Sequence, residues 1–323
     1  MGHKGDGYFY IGGNPHRIKV SGTFIILGIL FLNISPAFAQ TSQDYYNRGA
    51  AYNNSRPTME DLNRAVEMSP NLADAYYDRG LAWEKQGKYL EAIADFTQAI
   101  TLNPHDIGAY QGRGNAYAEA GRFTDAIADY NKVIELNPEN ARIYYNRALT
   151  WVNQGSLPQA IADFTQAIKI NPEFADAYHN RGLAWEKQGN LPQAMADLNK
   201  AIEINPTLVN AYYNRGIGYD KQGRYLQAIA DFSKAIEIDP KFAEAYINRS
   251  SVYIEQGNFP EARVDLVIAI ATNPKLAQAY NNLAIVYYQA KEYNKAWINL
   301  KKAEELGFAV NPELMNGLKK MLQ

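Results

Sequence analysis

Residues Ala73 to Asp106 read ADAYYDRGLAWEKQGKYLEAIADFTQAITLNPHD, and this stretch of 34 residues decides the fold. Apolar and small residues recur at helical spacing in two runs. Tyr76, Gly80 and Trp83 share one face of a first helix, expected over Asp74 to Gln86. Ala92, Phe96 and Ala99 share one face of a second, expected over Tyr89 to Leu102. Gly87-Lys88 separates the runs, since a glycine at a helix end takes the left-handed conformation that stops it. Asn103-Pro104 ends the second run, because proline disfavours the helical region for the residue before it. Small residues at Gly80, Ala92 and Ala99 let the two helices approach, and Trp83 and Phe96 fill the space that remains.

The stretch is one of a series. Pro70, Pro104, Pro138, Pro172, Pro206, Pro240 and Pro274 stand 34 residues apart. A fixed period of this length marks stacked supersecondary units, and eight can be counted. One slot reads Gly80, Gly114, Ala148, Gly182, Gly216, Ser250 and Ala284, always small. Another reads Trp83, Tyr117, Trp151, Trp185, Tyr219, Tyr253 and Tyr287, always aromatic. A third is alanine throughout the full units, from Ala92 to Ala296. The ends depart from the pattern, as terminal units of a solenoid must. The first unit is three residues short between Tyr52 and Pro57. The eighth has Lys291 in place of the turn glycine and Phe308 in place of the proline. Residues Pro312 to Gln323 are expected to form a short helix covering the last unit.

These slots at this period resemble the tetratricopeptide repeat (TPR) family, over about residues 42 to 310. The resemblance implies an all-α fold: a right-handed superhelical solenoid of about eight 34-residue helix-turn-helix repeats (40–310) with a C-terminal capping helix (311–323). It also implies a concave surface that holds a protein or peptide ligand.

Two further ladders run through the repeats. Where the family usually has leucine, this chain has Arg48, Arg79, Arg113, Arg147, Arg181, Arg215 and Arg249, then Leu283. A second series reads Asp61, Asp95, Asp129, Asp163, Asp197, Asp231 and Asp265, then Asn299. The joint loss in the last unit points to an ion pair between the two helices of each hairpin, with a structural purpose. One residue before each arginine stand Asn47, Asp78, Gly112, Asn146, Asn180, Asn214, Asn248 and Asn282. In superhelical members of the family this slot lies on the concave surface, and its asparagines contact the backbone of a bound peptide. An amide side chain both donates and accepts, which suits a peptide group of any sequence. The resemblance therefore makes Asn146, Asn180, Asn214, Asn248 and Asn282 the candidate binding row, with Tyr145 and Tyr213 as aromatic area beside it. The alternative is descent by duplication alone, and the identical segments Arg79 to Gly87 and Arg181 to Gly189 show that duplication occurred.

Composition narrows the function further. The formal charge is -2, with no basic cluster to neutralise phosphates, which argues against a nucleic-acid partner. There are no cysteines, so disulfides, thiolate metal sites and cysteine nucleophiles are excluded. No phosphate-binding loop, metal-ligand spacing or nucleophile motif occurs, so the expectation is no enzyme, no cofactor and no metal. Lys4, Arg17 and Lys19 precede an apolar run from Thr23 to Ile34 and then Pro36-Ala37-Phe38-Ala39. This is the order of a secretory signal peptide over 1–39, cleaved after Ala39, and it implies a periplasmic or extracellular location. The run is shorter than the ~20 residues of a membrane span, and an uncleaved anchor is the alternative. Loss of Lys4, Asp6, Arg17 and Lys19 leaves the remainder two charges more negative. Two functions are carried forward: a protein-interaction scaffold, and a structural subunit of a cell-envelope export or assembly complex.

Overall fold

The structure is a computed structural model that describes residues 58–323 together with Thr41, Ser42 and Tyr45. The signal segment, Asn47 and Arg48 lie outside the described residues. Sixteen helices and no strands are present among the described residues. They are α1 Met59–Met68, α2 Ala73–Lys85, α3 Tyr89–Leu102, α4 Ile107–Glu119, α5 Phe123–Leu136, α6 Ala141–Asn153, α7 Leu157–Ile170 and α8 Ala175–Lys187. They continue with α9 Leu191–Ile204, α10 Val209–Lys221, α11 Tyr225–Ile238, α12 Ala243–Glu255, α13 Phe259–Thr272, α14 Ala277–Gln289, α15 Tyr293–Glu305 and α16 Pro312–Met321. The chain divides between Ala116 and Tyr117 into two compact units.

In both units the hairpin follows from its slots. The second helix of each repeat presents one large residue that is at most 2% exposed: Leu62 and Phe96 in the first unit, and Tyr130, Phe164, Leu198, Phe232, Leu266 and Leu300 in the second. Burying such a side chain contributes about 1.5–3 kcal/mol. The facing slot must then be small. A methyl group built on Gly216 would stand 2.8 Å from the Phe232 ring, and one on Gly80 2.8 Å from that of Phe96. The turns between paired helices hold Gly87, Gly121, Gly155, Gly189, Gly223 and Gly257 at φ of 69–84°. Lys291 takes the same conformation at φ 59° and carries its side-chain cost.

The second helices α3, α5, α7, α9, α11 and α13 each stop at an asparagine or aspartate whose side chain accepts the backbone N–H two residues on, past the proline. Asn171 accepts from Glu173 at 3.1 Å, Asn205 from Thr207 at 3.0 Å and Asp239 from Lys241 at 2.9 Å. The proline between has no N–H to satisfy, which suits an Asn-Pro or Asp-Pro pair to these boundaries. Within the second unit, α7 packs on α8, α9 on α10, α11 on α12 and α13 on α14, so each hairpin rests on the next. The last has no following hairpin. There α16, capped by Asn311 accepting from Glu313 N–H, lays Met315 and Leu318 against Ala284, Ala296 and Leu300. In the first unit Tyr45 packs against Ala65, Val66 and Ala75. No helix among the described residues is long and apolar enough to cross a membrane.

Candidate functional site

The arginine ladder forms a set of latches. Arg79, Arg147, Arg181, Arg215 and Arg249 each hold the aspartate sixteen residues on through paired Nε and Nη2 bonds of 2.6–2.8 Å. This bidentate geometry is specific to a guanidinium. The pairs lie near the core: Arg147 and Asp163 side chains are 18% and 9% exposed. Each guanidinium also lies 5.5–5.7 Å from the ring of the tyrosine three residues earlier, Tyr76 for Arg79 through Tyr246 for Arg249.

A third partner was not foreseen from sequence. The remaining Nη1 reaches back to the preceding repeat: Arg79 to Asn63 Oδ1 at 3.1 Å, Arg113 to Thr97 Oγ1 at 3.1 Å, Arg181 to Thr165 Oγ1 at 2.9 Å, Arg215 to Asn199 Oδ1 at 2.8 Å and Arg249 to Ser233 Oγ at 2.8 Å. Arg147 does the same with Asn131. Thr97, Thr165 and Ser233 donate their own hydroxyl hydrogens to the carbonyl four residues earlier, which turns a lone pair toward the arginine. In the last repeat Leu283 and Asn299 replace the pair, and Val267 stands where this acceptor would be. Val267 belongs to the seventh repeat, which keeps its own Arg249–Asp265 pair. The three members of the latch are thus absent together, one of them from a repeat that keeps its own ion pair.

The asparagine row lies in the second unit, on the first helices of successive repeats, and is engaged in cross-repeat bonds. Asn180 Nδ2 donates to Tyr145 OH at 3.0 Å and to the Asp176 carbonyl at 2.9 Å. Asn214 Nδ2 lies 2.9 Å from His179 Nε2, and Asn248 Nδ2 donates to Tyr213 OH at 3.0 Å. Each is a rung between one repeat and the next, 35 residues apart. The two tyrosines foreseen as flanking area are thus the acceptors of the row. They are held in turn by rings: Tyr145 by Phe164 and Phe174 at 5.7 and 4.8 Å, Tyr213 by Phe232 and Phe242 at 6.0 and 4.8 Å. Burial pushes both phenols above their ordinary pKa, and the carboxylates of Asp176 beside Tyr145 and of Glu244 beside Tyr213 push the same way. His179, 8% exposed, takes the tyrosine's place in the middle rung. Burial lowers its pKa, against the opposing pull of Asp176 and the Asn210 backbone, which favours the neutral ring that accepts from Asn214.

The row is uneven at its ends. Asn282 is only 8% exposed. The residue 35 before it is Ile247, which offers no acceptor, so Asn282 Nδ2 turns to Ser251 Oγ at 3.0 Å and its Oδ1 accepts from Asn281 at 3.4 Å. Asn146 is half-buried, and its backbone carbonyl accepts from Thr150 Oγ1 at 2.9 Å. In the first unit Gly112 interrupts the row for a steric reason. A methyl group there would stand 2.5 Å from the Phe96 ring, so no asparagine fits without displacing it.

Family models described as TPR repeat match residues 114–155, 152–189 and 251–291. Models described as tetratricopeptide repeat match 73–106, 175–208, 209–242 and 232–264. No curated protein matches the chain. Among solved structures, a tetratricopeptide repeat protein from Parabacteroides merdae is 23% identical over 77% of this chain and 98% of its own, with a TM-score of 0.57. The C-terminal part of a TPR repeat-containing protein from Cytophaga hutchinsonii is 20% identical over 75% of this chain and 99% of its own, with a TM-score of 0.61. The protein pilF of Pseudomonas aeruginosa is 17% identical over 68% of this chain and 97% of its own, with a TM-score of 0.57. With family models matching residues 73–106 and 114–291, more than half of its length, the chain belongs to the tetratricopeptide repeat family, an all-α solenoid family whose members generally mediate protein–protein interactions.

Proposed function

We propose that this protein is an interaction scaffold that holds an extended segment or helix of a partner protein against the asparagine face of its second unit. One observation carries the proposal. Asn180, Asn214 and Asn248 form a row of half-buried amides, each fixed by a bond to the preceding repeat. Side chains fixed before binding lose little conformational freedom when a ligand arrives. The binding side chains we assign are Asn146, Asn180, Asn214 and Asn248 with Tyr145 and Tyr213, and the buried Asn282 closes the row. The chemistry asked of them is binding alone. We further infer from the sequence order at 1–39 that the chain is exported and cleaved after Ala39. N-terminal sequencing of the protein recovered from the cell envelope should then begin at Gln40, and a start that retains Lys19 would overturn cleavage.

Because the asparagines also tie repeats together, a test must separate binding from stability. Y145F/Y213F removes the rung acceptors but keeps the amides, whereas N180A/N248A removes the amides. Both lose the same two cross-repeat bonds. In affinity capture from a cell-envelope extract, a partner held by the native protein and by Y145F/Y213F but lost by N180A/N248A supports the proposal. Equal loss in both variants would reduce the row to a structural device.

A second reading, fixed contacts through the outer face in an envelope assembly, is favoured by apolar residues exposed on the second helices. Leu226, Val264, Val267 and Ile298 are 77%, 59%, 49% and 65% exposed. Loss of the partner in V264K/I298K, with retention in N180A/N248A, would favour it.

A further inference from the structure

The cross-repeat bonds change what the row offers a ligand. Asn180 spends both hydrogens of its Nδ2 inside the protein, on Tyr145 OH and on the Asp176 carbonyl. A carbonyl can only accept, so this second bond fixes which way the amide faces. Its Oδ1 receives no hydrogen bond among the described residues. Asn214 and Asn248 each direct one Nδ2 hydrogen to the preceding repeat, to His179 and Tyr213, and keep the other. What Asn180 has left for a ligand is therefore oxygen, and a ligand that matches it there must supply a donor.

Charge at the same face points the same way by an independent route. Asp176 stands four residues before Asn180 and Glu244 four residues before Asn248, so each carboxylate lies on the same helix face as its amide, one turn away. Both are exposed. Their proximity to the rungs is felt by the phenols of Tyr145 and Tyr213, which each carboxylate pushes upward. The one cation in this slot, Arg142, is stacked over Phe174 and Tyr145 at 5.0 and 5.7 Å.

We infer that the segment bound along this face is basic, with lysine or arginine side chains meeting Asp176 and Glu244 while a donor of the segment meets Asn180 Oδ1. The inference rests on the proposed binding face and adds the chemical class of its occupant. Charged side chains so placed set specificity and encounter more than raw affinity.

The probes are three fluorescein-labelled twelve-residue peptides repeating Lys-Ser-Gly, Gln-Ser-Gly or Glu-Ser-Gly, titrated with the full protein by fluorescence anisotropy at physiological salt. The lysine peptide should bind about fivefold or more tightly than the glutamine peptide, and the glutamate peptide no better than glutamine. D176N/E244Q should abolish the lysine preference. E139Q/E261Q, an equal change of net charge at exposed sites elsewhere, should retain it, which separates local recognition from overall attraction. If the three peptides bind alike, and N180A/N248A weakens all of them, the basic-ligand inference fails while the binding face stands. If no peptide binds, or N180A/N248A changes nothing, both fail together. A lysine preference that survives D176N/E244Q also overturns the inference.

Discussion

Replacing Arg147 by leucine deletes two bonds to Asp163 and one to Asn131. The Asp163 side chain is only 9% exposed, so its carboxylate would be left nearly buried and without its cation. Removing one partner of such a pair costs about 3–5 kcal/mol, chiefly through the orphaned charge. Adding Asp163→Asn removes that charge and leaves the loss of ordinary hydrogen bonds, about 1–2 kcal/mol. The double variant should therefore be more stable than Arg147→Leu alone by about 2 kcal/mol, although it carries more changes. Arrays of repeats do not unfold as one step, so the readout should be local. With Trp83, Trp185 and Trp297 changed to phenylalanine, the fluorescence of Trp151 reports on the repeat that holds Arg147. Urea unfolding should place the midpoint of R147L/D163N above that of R147L. A double variant that is additive or worse would refute the argument that the pair is held by mutual charge compensation.

Further outcomes follow from the same geometry. Lys291→Gly should stabilise the last repeat by about 1 kcal/mol, since the native residue holds φ at 59°, and thermal melting would show it. An unchanged or lower midpoint would mean that the lysine side chain stabilises the turn by more than its strain. S233V/R249L/D265N, which copies the Val267–Leu283–Asn299 trio, should unfold later than R249L alone. An earlier midpoint would show the trio is not the unit of exchange. His179 has its pKa lowered by burial, so it prefers to be neutral in the folded state. Its contribution to stability is then full above the unfolded value of about 6.5 and declines as pH falls from there through the folded value. Denaturation midpoints at pH 7.5 and pH 5 should differ more in the native protein than in H179Y, which substitutes the tyrosine found in neighbouring rungs. Equal differences would remove His179 as the source.

The hairpin was readable because its determinants repeat. Small, aromatic and turn residues at one period fix both helices, and α2 and α3 fall within a residue of the expected bounds. The Arg–Asp pairing was readable from a coincidence, Leu283 with Asn299. Contacts across repeat boundaries were harder, because a period shows which residues are equivalent and not which equivalent residue of the neighbour is touched. The acceptors Asn63, Thr97, Asn199 and Ser233 vary in type and share only polarity. Their signal was Val267 appearing in step with Leu283. The rungs were hidden for the same reason. Asn180 and Tyr145 look like neighbours of their own helices, yet each is satisfied by the adjoining repeat. Ile247, the aliphatic residue 35 positions before Asn282, was the available sign that the last amide would turn inward.

The claim that a partner lies along the asparagine face can be tested by photo-crosslinking, without knowing the partner. A benzophenone amino acid would be placed at Asn210, exposed one turn before Asn214, and in a second protein at Ala230, exposed on α11. After irradiation in a cell-envelope extract, a discrete adduct from position 210 and none from position 230 is the expected result. Adducts from position 230 alone would contradict the account and move the partner to the outer helices.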